Sequence, residues 1–324
     1  AARSHGRPDG GGECIPSRQL VGGRFLTAAG NPALTAAARP SGGRRLSLSW
    51  IGAVPFFAYV ALFLLLPTAI IVVGSFLATD GSFTLANFAD INKPYIIKAF
   101  TNSLIVSSVS AIVGAVAGAV LAYAVVTGNP DGTLRRLVTS ASGVLAQFGG
   151  VALALALIAT LGAEGFVTQL IQLVLHINIA SGTWLFDPSG IILVYLYFQI
   201  PLMVLVFLPA LDGLRPQWRE ATESLGGNTW HYWRYVAGPL LAPSFLGCTL
   251  LLFANAFSAY ATVAALLTQG GVYITLEIQN LLTSETEQTQ PGLAQALALT
   301  MIVIVVIVTV LYTVLQRRTS KWLR

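Results

Sequence analysis

Apolar residues in this chain gather into six long stretches that are separated by shorter polar connections. The stretches cover residues 51–77, 99–127, 137–161, 189–210, 242–267 and 292–316. A helix rises about 1.5 Å per residue, so about 20 apolar residues cross the roughly 30 Å of hydrocarbon in a bilayer. Every stretch reaches that length. The pattern therefore predicts an all-α integral membrane protein with six transmembrane helices.

The composition supports a membrane protein with a separate tail. Hydrophobic residues make up 55% of the chain and charged residues only 10%, and the mean hydropathy is +0.73. A soluble domain carries about 25% charged residues. Residues 1–49 differ from the rest, because they are rich in Gly, Arg, Pro and Ala and contain no apolar run of membrane length. We expect a disordered cytosolic tail there, followed by a six-span domain over residues 50–324.

The positions of the basic residues predict the orientation of the spans. If the tail lies inside, the inner segments hold 16 of the 18 Lys and Arg residues, and the outer segments hold only Lys93 and Lys98. Cytosolic segments of membrane proteins carry such an excess. Both termini are therefore expected in the cytosol of a cell-membrane protein. The same distribution accounts for the net charge of +5 without a nucleic-acid partner.

The chain contains no pattern typical of an enzyme, a cofactor site or a metal site. Its two cysteines, Cys14 and Cys248, lie in the tail and in an apolar stretch, which suits neither a disulfide framework nor a ligand set. A P-loop needs Gly-Lys followed by Ser or Thr, but Lys93, Lys98 and Lys321 follow Asn, Ile and Ser. Any ATP hydrolysis would need a separate chain.

The connection between the fourth and fifth stretches, residues 215–239, differs from the other connections. Pro216 suits the first turn of a helix, and Gly226-Gly227 can end it. Asn228 can cap a second short helix that is rich in Trp and Tyr, and Pro239 is expected to end it before the fifth span. The pattern predicts two short helices joined by a glycine turn.

This loop resembles the hallmark of the permease subunits of ATP-binding-cassette importers with the type I (MetI-like) fold. That hallmark is Glu-Ala-Ala, three residues, Gly, and a variable stretch closing with Leu-Pro. The chain has Glu220-Ala221-Thr222, Gly226 at the same spacing, and Gly238-Pro239. Thr222 replaces the second Ala and Gly238 replaces the usual Leu, and both replacements are small.

The resemblance implies the inner membrane component of a binding-protein-dependent transport system. Such a permease has no enzymatic activity and works in a pair with an identical or homologous permease. Its other partners are an ATP-binding-cassette ATPase and an external solute-binding protein. The cytosolic loop docks in a cleft of the ATPase and transmits its motion to the membrane helices. The residues expected to make this coupling are Glu220, Ala221, Thr222, Gly226, Gly227 and Pro239.

Polar residues on the inner spans are candidates to line the solute path: Gln147, Gln199, Asn255, Ser258 and Thr262. Three of them recur at i, i+3 and i+7 on the fifth span and therefore form one stripe. Polar groups in lipid need partners, so hydrogen bonding between helices is the alternative role. Gly114 and Gly118 form a GxxxG pair that predicts close helix packing in the second span.

The fifth span, residues 253–262, looks most like the polyamine, phosphonate, thiamine and iron branch of the family. Two functions from other classes stay open. A secondary transporter or channel would need ionisable groups or broken helices in the membrane. The six apolar stretches contain no Asp, Glu, Lys, Arg or His. We also expect unbroken spans. A membrane anchor for a cytosolic complex would explain the helical loop but not the polar stripe.

Overall fold

The structure is a computed structural model that describes residues 49–78, 80–128, 132–175, 184–267, 272–283 and 290–320. Contacts divide the chain into residues 1–54 and residues 55–324. Of the first unit the structure describes residues 49–54, which begin the first helix. The tail predicted over residues 1–49 therefore lies outside the described residues, except for Ser49.

The described residues form fourteen α-helices and no β-strand. In chain order the helices are α1 (Ser49–Val60), α2 (Leu66–Gly74), α3 (Ala86–Asp90), α4 (Pro94–Thr127), α5 (Thr133–Gln147), α6 (Gly150–Leu161), α7 (Phe166–Leu175), α8 (Pro188–Asp212), α9 (Pro216–Ser224), α10 (Thr229–Tyr232), α11 (Gly238–Phe257), α12 (Ala261–Leu266), α13 (Ile274–Thr283) and α14 (Pro291–Ser320). One π-helical turn joins α1 to α2, and another, Trp233–Ala237, joins α10 to α11.

Six helical segments among the described residues are long and apolar enough to cross a membrane, which confirms the predicted number of spans. They are Val54–Gly74, Pro94–Thr127, Gly150–Val174, Pro188–Asp212, Thr229–Phe257 and Pro291–Val314. The third segment begins later than the predicted stretch 137–161. The reason is that a break in the backbone divides this stretch between α5 and α6.

The expectation of unbroken spans is wrong for the third and fifth apolar stretches. The first break lies between α5 and α6, where Gly150 has a φ of +70°, a left-handed conformation that glycine adopts without steric cost. The second break lies between α11 and α12. There the Ser258 hydroxyl donates to the C=O groups of Ala254 and Asn255 in its own helix, a bonding pattern that bends helices.

The core of the membrane domain is the contact between α4 and α8, which α11 crosses. Buried apolar residues from these three helices form one continuous cluster, including Ala111, Ala115, Ala122, Val204, Phe207 and Leu252. Gly114 and Gly118 both face α8: a Cβ added at either would lie within 3.0 Å of a side chain there, Gln199 or Met203. The close packing predicted from the GxxxG pair is confirmed.

Replacing Gly118 with Ala is expected to destabilise the fold by about 1–3 kcal/mol through overpacking. The new Cβ would lie 2.5 Å from Met203 Cβ and 2.8 Å from the C=O oxygen of Ile200. Gly143 is the matched control, because it also lies inside a helix but has no atom within 4 Å of an added Cβ. Gly143→Ala should be neutral or stabilise by up to about 1 kcal/mol.

The difference in stability between the two variants is measured by unfolding them in mixed micelles. Circular dichroism follows the unfolding as the fraction of denaturing detergent increases. Equal midpoints for Gly118→Ala and Gly143→Ala would contradict the close α4–α8 contact.

Candidate functional site

Helix α9 is the first element of the loop between the fourth and fifth spans. Arg215 precedes it in an extended conformation, and Pro216 occupies its first turn, where the missing N–H of proline carries no cost. Arg219 Nε contacts Glu223 Oε1 at 3.1 Å along one face. This i,i+4 ion pair is exposed and supports the helix only modestly.

The glycine turn ends α9 with two backbone hydrogen bonds. The Gly226 N–H donates to the Glu223 C=O at 3.0 Å, and the Gly227 N–H donates to the Thr222 C=O at 2.9 Å. Gly226 has a φ of +78°, as expected for this type of helix end. A Cβ at Gly227 would lie 2.7 Å from Thr222 Cγ2. The predicted glycine stop is confirmed. Glycine is required at 226 for its left-handed backbone conformation and at 227 because Thr222 lies too close for a side chain.

Asn228 caps the second short helix, as predicted. Its Oδ1 accepts from the His231 N–H at 3.0 Å, and its own N–H donates to His231 Nδ1 at 3.4 Å. The two residues therefore satisfy each other in a reciprocal cap. This cap fixes the direction in which α10 leaves the glycine turn.

The prediction that Pro239 ends the second helix is wrong. The chain continues from α10 through the π-helical turn Trp233–Ala237 directly into α11, and Pro239 lies in the first turn of α11. In the π-turn the Gly238 N–H bonds to the Trp233 C=O five residues earlier. This wider bonding accommodates a proline that cannot donate. A Cβ at Gly238 would lie 2.5 Å from the Trp233 C=O oxygen, so the leucine usual in the motif does not fit this turn.

Aromatic contacts attach the loop to the helix bundle. The Trp233 ring packs edge-on against Tyr123 of α4, with 5.1 Å between the ring centroids, and Tyr232 is buried. An apolar cavity of about 380 Å³ adjoins Trp233 and is bounded by α4, α8 and α11. At the same end of the bundle, Arg135 Nη2 lies 2.6 Å from Asp212 Oδ2 and joins the start of α5 to the end of α8.

The outer side of the loop is exposed. We call the exposed residues Glu220, Ala221, Leu225 and Gly226 the α9 surface. Leu225 is 88% exposed, and Glu220 has no ion pair within the described part of the chain. Thr222 is half-buried, with its hydroxyl donating to the Trp218 C=O. A short helix with a hydrogen-bonded glycine turn at its end thus presents an exposed apolar residue, Leu225, and an exposed carboxylate, Glu220.

The residues predicted to line the path fall into two groups. Gln199 and Thr262 are buried and bonded between helices, as the alternative role describes. Gln199 Nε2 donates to Ser110 Oγ of α4 at 3.0 Å, and Thr262 Oγ1 accepts from the Gly150 N–H at 3.1 Å. Gln199 Oε1 is buried and has no hydrogen-bond partner among the described residues.

Gln147, Asn255 and Ser258 form the second group, and all three are exposed. Gln147 and Ser258 directly flank the two helix breaks, whereas Gln199 lies in the α4–α8 contact. Sequence reasoning missed Tyr195, whose hydroxyl donates to the Ala259 C=O at the second break. It also missed Gly150, although Gly149-Gly150 in an apolar stretch is a signal for a break. Within the described ranges, no group of three His, Cys, Asp or Glu is arranged to hold a metal.

Comparisons with known proteins agree with the loop and the fold. The model of the family described as "Binding-protein-dependent transport system inner membrane component" matches residues 166–321, just under half of the chain, including the whole loop. The thiamine transport system permease protein ThiP of Escherichia coli K12 is 31% identical over 86 residues, which cover 26% of this chain and 16% of ThiP.

The spermidine/putrescine transport system permease protein PotB of Haemophilus influenzae is 27% identical over 237 residues, which cover 71% of this chain and 80% of PotB. The match to a putative ferric transport permease, FbpB 1 of the same species, spans only 31% of that relative. The chain thus covers under a third of ThiP and FbpB 1.

A solved bacterial ABC transporter for import of the acidic polysaccharide alginate shares the fold, with a TM-score of 0.66 at 16% identity, over 84% of this chain and 95% of that one. The fold, the loop motif and the family match agree. They make this chain similar to the binding-protein-dependent transport system inner membrane components, which are the permease subunits of import systems.

Proposed function

We propose that this chain is the transmembrane permease subunit of an ATP-binding-cassette importer. It forms half of the solute path and is coupled to a separate ATPase through the α9 surface. The observation that carries the proposal is the form of the loop: α9 ends in a hydrogen-bonded glycine turn that leads into a capped α10, and its outer side is exposed. A helix held in this way can pass the displacement of a soluble partner to the membrane helices.

The proposed transmission runs along continuous backbone. From Thr229 the helix continues through the π-turn and α11 to Phe257, where the second break begins. A shift of α9 that the hydrogen-bonded glycine turn passes on to Thr229 therefore reaches the second break along helical backbone. The cavity beside Trp233 gives that side chain space to move against α4.

The proposed partners are an ATP-binding-cassette ATPase, a second identical or homologous permease and an external solute-binding protein. One alginate transporter of the same fold was solved with a bound periplasmic protein, which supports the last of these. We place the α9 surface and both termini in the cytosol. The support is the distribution of basic residues, since the opposite side holds only Lys93 and Lys98.

The proposed solute belongs to the polyamine, phosphonate, thiamine and iron group. The names of the relatives cover thiamine, spermidine/putrescine and ferric transport, which supports three of the four. A probable sulfate permease of Marchantia polymorpha also matches. Sulfate is therefore an additional solute to assay.

A secondary transporter or channel is the second candidate, because the broken third and fifth spans are a feature of that class. Against it, no ionisable residue lies in the six apolar stretches. Purification in a gentle detergent from the native membrane separates the two. An importer permease brings down a P-loop ATPase and a six-span partner, whereas a chain that elutes alone and fails to bind added ATPase contradicts the proposal.

Reversing the charge of Glu220 is expected to uncouple ATP hydrolysis from uptake while the protein still reaches the membrane. Glu220→Lys should raise the ATP hydrolysed per solute taken up about fivefold, the effect of losing one exposed charge pair. Proteoliposomes of the whole complex, assayed with thiamine, spermidine, ferric iron and sulfate in turn, give this ratio. Glu164→Lys is the control, because Glu164 is exposed in the α6–α7 connection. The coupling role is wrong if both variants keep the wild-type ratio.

Substitutions at Gly226 are expected to loosen the loop in a graded way. Its φ of +78° costs an ordinary residue about 1–2 kcal/mol, but no atom lies within 4 Å of an added Cβ. Gly226→Asn should therefore be tolerated and Gly226→Val should not, because asparagine adopts this conformation more readily. Hydrogen exchange of residues 216–228 measures the difference, with about tenfold faster exchange expected for Val. Equal exchange in both variants would contradict the left-handed turn.

A further inference from the structure

The first amide of α6 is capped by a different helix. Gly149 precedes α6 and has no side chain to accept a hydrogen bond, and no side-chain cap is formed there. Instead, the Gly150 N–H donates to Thr262 Oγ1 of α12 at 3.1 Å. Thr262 is only 3% exposed, and Gly150 is half-buried. The break in the third span is thereby joined to the helix that follows the break in the fifth.

The second break is held from α8. The Tyr195 hydroxyl donates to the Ala259 C=O at 3.2 Å, and Tyr195 is 2% exposed. Beyond α12, Asn102 and Ser103 of α4 bond to the backbone of Val272 and Ile274. The segment before α12 is therefore bonded to α8 and the segment after it to α4, and within α12 Thr262 makes the connection to the third span.

We propose that Thr262 is a positioning residue for transport, whose hydroxyl makes the two helix breaks move as one unit. This inference rests on the proposed function. Both breaks fall inside apolar stretches, 137–161 and 242–267, where side chains offer a free backbone amide few hydrogen-bond acceptors. If the fifth span moves with α9, the Gly150 amide follows Thr262, because the alternative is to lose its partner in an apolar surrounding.

We assign this hydrogen bond a role beyond stability because its donor and its acceptor belong to different spans. A capping side chain at position 149 would bond to the amide of the second or third residue of α6 and could not reach the Gly150 amide. The acceptor for that amide is Thr262 of α12. Gln147 and Ser258, two exposed candidates for the solute path, flank the two breaks. The hydrogen bond between Gly150 and Thr262 thus lies three and four residues from these two candidates.

Hydrogen exchange tests the inference. It is measured on the whole complex in nanodiscs, in the nucleotide-free state and in the state trapped with ADP and vanadate. In the wild type, segments 148–152 and 258–264 should change their exchange together between the two states. Thr262→Val keeps the side-chain shape but removes the hydroxyl. It should speed exchange in 148–152 about five- to tenfold, the loss of one hydrogen bond, and abolish the joint change. Thr262→Ser should restore it.

Thr249→Val is the matched control. Thr249 lies on α11, but its hydroxyl donates to the Phe245 C=O of its own helix at 2.8 Å. This variant should leave the joint change intact. Tyr195→Phe provides a second test that does not alter Thr262. It removes the donor to Ala259, so segment 258–264 should exchange faster and segment 148–152 should follow it.

The inference is overturned if the Thr262→Val complex traps with vanadate and its two segments still change together. A second result also overturns the inference. If Thr262→Val speeds exchange in 148–152 by the same factor in both states and the two segments still change together, Thr262 is only a local cap. Failure of the proposed function gives a different result, because no ATPase then purifies with the wild-type chain and no trapped state forms.

Discussion

A backbone amide or carbonyl inside hydrocarbon has no water to bond with, so each must find a partner within the protein. Unbroken helices meet this requirement locally. The third and fifth spans do not, because each is interrupted inside an apolar stretch. The interruptions are stable because other helices supply the missing partners: Thr262 for the Gly150 amide and Tyr195 for the Ala259 carbonyl. At each break the partner therefore comes from a helix that is distant in the chain, α12 or α8.

The same requirement shapes the loop between the fourth and fifth spans, although water is available there. Both ends of the glycine turn are bonded within a few residues, by Gly226 and Gly227 at the end of α9 and by Asn228 with His231 at the start of α10. Local caps leave the outer side of α9 free. The loop is therefore both locally hydrogen-bonded and exposed, which suits the proposed coupling to a soluble partner.

The number of spans, the two short helices and their caps could be predicted from sequence, because each depends on residues close together in the chain. An apolar stretch indicates that a segment lies in an apolar surrounding, either lipid or protein interior. A helix and a break in a helix can both lie in such a surrounding, so the pattern does not show where the helix breaks. Gly149-Gly150 was the local signal. The end assigned to Pro239 was wrong because a π-turn, which has no sequence signal here, carries the helix past it. The bonds from Tyr195 to Ala259 and from Asn102 to Val272 join residues 64 and 170 positions apart, beyond any local pattern.

Site-specific photo-cross-linking in the native membrane tests most directly whether the α9 surface is where the ATPase docks. A photoreactive amino acid at Leu225, which is 88% exposed, should capture a P-loop ATPase. The same amino acid at Glu164, exposed in the α6–α7 connection, should not capture it. Capture of the ATPase from position 164 but not from 225, or from neither position although the ATPase purifies with the chain, would contradict coupling through α9.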